Sequence, residues 1–387
     1  MTIPKNITLK VAGGLLGLYL VSAGISYVLF SYVFKGGKPV SPQNVSQTRG
    51  KIDPSAPRTE SCPLNGKMFT KAEKDIWEKR RPLGIMIENH EESRPQSGLS
   101  SADIVYEAIA EGGITRFMAI FYCGASAEEI TVGPVRSART YYLDWISEYG
   151  SDPLYVHVGG ANKPGPADAL GQIRNYGWDG YNDLNQFSIG FPTFRRDYER
   201  LGRTVATEHT MYSTTDKLWD VAKERSLEAK NKDGEVWSEG FKPWKFEDGA
   251  VPGTQTAPTI SFPFWAGYSQ YAVNWSHDKE SNTYKRNNSG QPHKDLNNET
   301  QLETKNIVVI FTALRSLNDA EKHMLYTTTG SGRALFFKNG EVFEGKWAKK
   351  TRTDRTIFTD STRKEYTFVK GPIWIEVLDP TTKVTYQ

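Results

Sequence analysis

From Val11 to Phe34 the chain carries no Asp, Glu, Lys or Arg. As a helix rising about 1.5 Å per residue, this run reaches roughly 36 Å, enough to cross a hydrocarbon core of about 30 Å with some tilt. The apolar part of a cleaved signal peptide is shorter, about 7–15 residues. Cleavage after Ala23 would leave Tyr27, Leu29, Phe30 and Phe34 of the same run behind. The run is therefore read as an uncleaved single-pass anchor through residues 11–34, in preference to a cleaved signal or a buried soluble helix. Lys5 and Lys10 on one side nearly balance Lys35 and Lys38 on the other. Orientation then rests on the short preceding tail, which favours a cytoplasmic N-terminus with the bulk of the chain extracytoplasmic.

Beyond the run the chain divides by composition. Residues 36–60 hold four prolines and two adjacent glycines among Ser, Gln and Thr, with no apolar periodicity, and read as a tether. The expected organisation is an anchor over 1–35, a flexible stalk over 36–70, a mixed α/β domain over 71–229, a linker over 230–258 and a smaller, mostly β domain over 259–387. The fold class is α+β. Within the first domain, 71–81 reads as a charged helix, 83–87 as a buried strand, 137–149 as a helix capped by Ser137, 154–158 as a strand and 216–229 as a helix. Residues 104–121 read as a hairpin turning at Gly112-Gly113, with a helix ending at Gly112 as the rival reading. In that register Glu107 and Glu111 share a face and Arg116 lies opposite Ile109. In the second domain strands dominate, and Asn339-Gly340 marks a hairpin turn.

The absences narrow the chemistry. No Walker A loop, GxGxxG or GxSxG occurs, and Arg94 stands where a zincin would need its second His. With 48 basic against 45 acidic residues, a general polyanion binder is excluded and no nucleic-acid partner is expected. No cofactor and no metal site are expected. The two cysteines, Cys62 and Cys123, would close a loop of about 60 residues if bridged in an oxidising compartment, stabilising the fold by roughly 4 kcal/mol.

Polar side chains that can do chemistry cluster between residues 88 and 210. Glu88, Asn89, His90, Arg94 and Gln96 follow the end of a strand, where ligands often bind in α/β sheets, and of these Asn89, Arg94 and Gln96 are the expected ligand contacts. Glu107 and Glu111 beside Arg116 form a carboxylate pair, which suits acid/base work because like charges split their pKa values. Arg136, Ser137 and Arg139 surround a helix start that suits an anion. His157 and His209 supply further acid/base candidates, and the surrounding arginines disfavour a cation. Near the C-terminus Lys346, Lys349, Lys350, Arg352, Arg355, Arg363 and Lys364 read as a basic stripe suited to an anionic envelope surface.

These stretches resemble one family. Arg81-Pro82-Leu83, Glu88-Asn89, Arg94-Pro95-Gln96-Ser97-Gly98-Leu99, Glu111-Gly112-Gly113-Ile114-Thr115-Arg116, Gly133-Pro134-Val135-Arg136-Ser137-Ala138-Arg139 and His157-Val158-Gly159-Gly160 are similar to the signature of YerB-like proteins, whose first domain is DUF3048. Gly330-Ser331-Gly332-Arg333-Ala334, Gly345-Lys346-Trp347 and Gly371-Pro372-Ile373-Trp374-Ile375 resemble that family's second, β-rich domain. The chain departs from the family in three places. No Cys follows the apolar run to carry a lipid, Glu88 replaces an Asp, and Glu208-His209-Thr210 replaces Pro-His-Asn. The resemblance implies a two-domain envelope protein and supplies no reaction. The function read from these residues is an envelope protein that binds an anionic or glycan-like cell-wall ligand in an Arg/Glu/His-lined cleft. A hydrolase pairing Glu107 or Glu111 with His157 or His209 is one alternative, and a structural or partner-binding protein is the other.

Overall fold

Alternating and continuous apolar runs dominate the chain after residue 80, and they assemble into one large mixed sheet. The structure is a computed structural model that describes residues 52, 53 and 55–387, which lie in one compact unit. The anchor expected over 11–34 lies outside the described residues. Among the described residues no helix is long and apolar enough to cross a membrane.

The strands of the large sheet are β1 (Leu83–Glu88), β2 (Ile104–Glu111), β3 (Ile114–Phe121), β4 (Leu154–His157), β5 (Asp183–Asn185), β6 (Asn306–Phe311), β7 (Gly330–Lys338), β8 (Glu341–Lys349), β9 (Ile357–Asp360) and β10 (Ile373–Leu378). Their spatial order is β9-β8-β7-β6-β10-β2-β3-β1-β4-β5. The two sequence halves meet where β10 pairs parallel with β2, Ile373 opposite Ile104 and Glu376 opposite Glu107. These strands have few exposed positions, as expected of a sheet covered on both faces.

Among the described residues five α-helices accompany the strands: α1 (Lys71–Trp77), α2 (Thr140–Ile146), α3 (Ala169–Asn175), α4 (Gln186–Ile189) and α5 (Thr215–Glu224). On one face of the sheet, Val105, Ile109, Phe117 and Val309 pack with Leu218 of α5 and with Ile260, Phe262, Val273 and Trp275 of a second, antiparallel sheet. On the other face, Tyr106, Met118 and Ile375 pack with Trp77, Tyr142, Ile146 and Ile173 from α1, α2 and α3. The fold is α+β with a β-rich C-terminal part, as the composition of elements in the sequence implied.

Local signals mark most of these elements. Asn339 and Gly340 both adopt positive φ, 57° and 80°, and join β7 to β8, as the Asn-Gly turn requires. Thr70 caps α1 and Glu73 returns the bond, a reciprocal capping box. Two expectations differ. Helix α2 starts at Thr140, and its cap position is Arg139, which makes no side-chain capping bond; Ser137 lies upstream, outside the helix. The stalk expected over 36–70 is folded from Arg58 onward. Arg58–Ser61 pairs with Met68–Thr70, Leu64 and Phe69 are buried, and Cys62 is bridged to Cys123. The disulfide and these two apolar side chains fasten the segment to the sheet.

Candidate functional site

The decisive local event is a bulge in β2. Ile109 faces Thr115, but Glu111 faces Ile114, so one extra residue lies between them. A single inserted residue turns every later side chain to the opposite face. Glu107 therefore points to the face covered by the second sheet and Glu111 to the face covered by α2. The expected sharing of a face fails for this reason, and Arg116 sits opposite Ala108 rather than Ile109.

On the face of the second sheet the polar groups form a closed internal network. The Glu107 carboxylate accepts from Asn89 Nδ2 (3.1 Å), Thr115 Oγ1 (2.7 Å) and Arg286 Nη2 (2.5 Å). Arg286 donates to His293 Nδ1 (2.6 Å), and His293 Nε2 donates to Gln96 Oε1 (2.7 Å). Burial and the Arg286 charge push the His293 imidazole well below its usual range, so it is neutral and can accept from one partner while donating to the other. Burial, then the Glu107 charge, raise the Glu376 carboxyl well above the carboxylate range. Arg94 spends its donors on Asn89 Oδ1, Asn89 O and Gln270 O at 3.0, 2.9 and 2.9 Å. Asn89, Arg94, Gln96 and Glu107 are thus brought together, with their partners supplied inside the protein.

On the α2 face Glu111 holds two arginines. Its carboxylate lies 2.6 Å from Arg116 Nη2 and 2.7 Å from Arg139 Nη2. Arg116 also donates to Ser137 O at 3.1 Å and Arg139 to Ala138 O at 2.7 Å. Burial alone would raise the Glu111 carboxyl, but the two guanidinium groups outweigh it and hold the group at about 2. A base this weak, bound on both oxygens, is not poised to take a proton near neutrality. His157 is fully buried, with Nε2 2.5 Å from Asp183 Oδ1 and Nδ1 2.7 Å from Gly159 O. No hydrogen bond or ion pair joins His157 or His209 to Glu107 or Glu111 among the described residues.

Arg136 and His209 meet instead on Glu88, the last residue of β1. Arg136 Nε is 3.0 Å from Glu88 Oε1, and His209 Nδ1 is 2.8 Å from Glu88 Oε2. The hydrogen bond to Glu88 raises the His209 pKa, against a smaller lowering from burial. His209 Nε2 lies 3.6 Å from Glu92 Oε2, and the His90 ring stacks on His209 at 4.9 Å with 12° between planes. The Arg136 side chain is 26% exposed; its buried Nε lies close to Glu88 without making a hydrogen bond, and no hydrogen bond of its Nη groups is found among the described residues. Glu88 and His90 belong to the polar cluster read after the first strand but were not named as ligand contacts, and Glu92 was not named at all. Strand parity offered a signal for Glu88, since it shares a face with Met86 and Arg116; nothing local links His90 to His209. A separate cavity of about 430 Å³ opens beside α2, lined by Tyr141, Asp144, Gln172, Tyr176, Arg315 and Tyr326 among others, and neither Arg136 nor His209 lines it.

The C-terminal basic stripe is partly internal. Glu148, fully buried, accepts from Lys349 Nζ (3.0 Å) and Arg355 Nη1 (3.2 Å). Burial would raise its carboxyl, but these two cations hold it at about 2.

Residues 69–228 match the N-terminal domain, and residues 260–375 the C-terminal domain, of a protein family of unknown function, DUF3048. A "Putative lipoprotein YerB" of Bacillus subtilis is 28% identical over 325 residues, which span 84% of this chain and 88% of that protein. The crystal structure of the YerB protein from Bacillus subtilis superposes with a TM-score of 0.67 at 26% identity, covering 84% of this chain and 99% of that one.

Proposed function

Because the chain belongs to the DUF3048 family, whose relative in Bacillus subtilis is named as a lipoprotein, we propose that it is a membrane-tethered, extracytoplasmic binding protein, and that its ligand contact is the Glu88–Arg136–His209 rim. The ligand is anionic. One observation carries this reading: the Glu88 carboxylate holds the Arg136 guanidinium by an ion-pair contact at Nε, and its Nη groups have no protein partner among the described residues. An oriented guanidinium fork of this kind suits a carboxylate or phosphate. The other arginines named from the sequence, Arg94, Arg116 and Arg139, have internal acceptors, so the contact narrows to Arg136.

The hydrolase reading lacks support, because Glu107 and Glu111 are committed to arginines and meet neither histidine. A protein partner is the second reading. It is favoured by Phe187 and Phe191, 75% and 83% exposed, the first of them lying against Gly159. The deciding measurement is binding of poly(glycerol phosphate) and of neutral N-acetylglucosamine oligomers to the detergent-solubilised chain and to Arg136→Ala. The expected result is binding of the phosphate polymer only, lost in the variant. Equal behaviour of wild type and variant would remove the basis for the reading.

A further inference from the structure

Three groups of side chains among the described residues bring His, Cys, Asp or Glu ligand atoms within 4.8 Å of one another. In the first, Cys62 and Cys123 are consumed by their disulfide. In the second, Asp319, Glu321 and His323, the Lys163 ammonium already sits on Glu321. The third is His90, Glu92 and His209, and there the chemistry fits a cation.

The three ligand atoms lie within 4.8 Å of one another, and His90 Nδ1, which accepts from Glu92 N at 3.3 Å, gives up that weak bond when the ring turns to a metal. Glu88 accepts from His209 Nδ1 at 2.8 Å; a carboxylate acceptor places the proton on Nδ1 and leaves the Nε2 lone pair free. That lone pair lies 3.6 Å from Glu92 Oε2. Two donors on a common zinc ion at about 2.0–2.2 Å are roughly 3.3 Å apart in a tetrahedral site, so a small closing movement suffices. Glu92 can supply it, since its side chain is 55% exposed on the short turn Glu91–Ser93 that His90 caps. A carboxylate behind a histidine is the usual outer-shell partner of a metal ligand, fixing both tautomer and ring orientation. Two guanidinium groups lie near: Arg136 on Glu88, and Arg203, which donates to Glu92 O. The carboxylates of Glu88 and Glu92 offset these two charges, so the pocket is close to neutral before a dication enters.

We propose that His90, Glu92 and His209 bind one first-row divalent metal ion, with Glu88 as the positioning residue behind His209. Two imidazoles and one carboxylate are a donor set of zinc and its neighbours, and they leave coordination positions open. Resting on the reading of Arg136 as an anion contact, the inference extends to the ligand: a phosphate-like oxygen completes the coordination while Arg136 holds a second oxygen.

The test is titration of the EDTA-stripped full chain, solubilised in detergent and carrying no histidine tag, with Co²⁺ and Zn²⁺. One equivalent should bind, with Co²⁺ giving visible d–d bands that Zn²⁺ bleaches. His90→Ala and Glu92→Ala, both with unchanged circular dichroism, should each weaken the metal at least ~10-fold, and Glu88→Gln by about 10–100-fold. Inorganic phosphate should shift the Co²⁺ bands in the wild type and not in Arg136→Ala. No Co²⁺ bound at micromolar concentrations overturns the site, as does affinity unchanged in both His90→Ala and Glu92→Ala or lost in His323→Ala instead. If Co²⁺ binds as described but phosphate acts equally on wild type and Arg136→Ala, the metal site stands and the Arg136 reading fails.

Discussion

Replacing Glu111 with Gln should cost most of the stability that its charge contributes. The carboxyl drops from 4.5 to about 2 in the fold, and at about 1.4 kcal/mol per pKa unit that depression is worth roughly 3 kcal/mol. Its side chain is 23% exposed while those of Arg116 and Arg139 are 2% and 9% exposed, so solvent screening is limited. The partners give a similar figure, because removing one member of a buried ion pair typically costs about 3–5 kcal/mol. The pH course has a definite sign. A carboxyl whose folded pKa is depressed contributes stability above its unfolded pKa and loses it as pH falls toward the folded value. Chemical denaturation of wild type and Glu111→Gln, followed by tryptophan fluorescence, should show a gap of about 3 kcal/mol at pH 7 that shrinks to about 1 kcal/mol at pH 3. A gap below about 1 kcal/mol at neutral pH, or one that does not change between the two conditions, would refute the role given to this carboxylate.

Four further outcomes are expected. Cys62→Ser with Cys123→Ser, bridged across 61 residues in the native chain, should lose about 4 kcal/mol, read as a lower denaturation midpoint that added reductant no longer shifts. Arg286→Met should destabilise by about 3–5 kcal/mol, because it strands the buried Glu107 carboxylate; adding Glu107→Leu should recover part of that in a double-mutant cycle. Gly345→Ala would place a Cβ 2.0 Å from Thr359 O, and melting should reveal a loss of about 1–3 kcal/mol where β8 meets β9. Arg136→Ala removes one of the two cationic partners of the buried Glu88 carboxylate and should cost about 1–3 kcal/mol, so its binding is compared with wild type under conditions where circular dichroism shows both folded.

The contrast between legible and hidden features tracks the range of the interactions that create them. Leu83–Glu88, Thr259–Phe262 and Ile373–Leu378 were readable as strands because β-branched and aromatic runs bounded by Gly, Pro and polar residues carry their own signal. The Gly112-Gly113 hairpin and the Asn339-Gly340 turn were readable because positive φ demands those residues. The Cys62–Cys123 pairing was open to proposal because only two cysteines exist. The face of Glu111 was not readable, since one bulged residue reversed it. Arg136, Ser137 and Arg139 were found as a motif, yet only packing separated Arg139 on Glu111 from Arg136 on Glu88.

By itself, then, the sequence determined the class of fold and the family to which the chain belongs, because propensity, turn residues and motifs act over a few positions. Only the tertiary structure decided which of the polar side chains face each other. Glu88 meets His209 across 121 residues and Glu107 meets Arg286 across 179, contacts fixed by strand order and by the two packed faces of the sheet. Register and burial, rather than residue type, left the Arg136 side chain partly exposed while Arg116 and Arg139 of the same motifs became part of the interior.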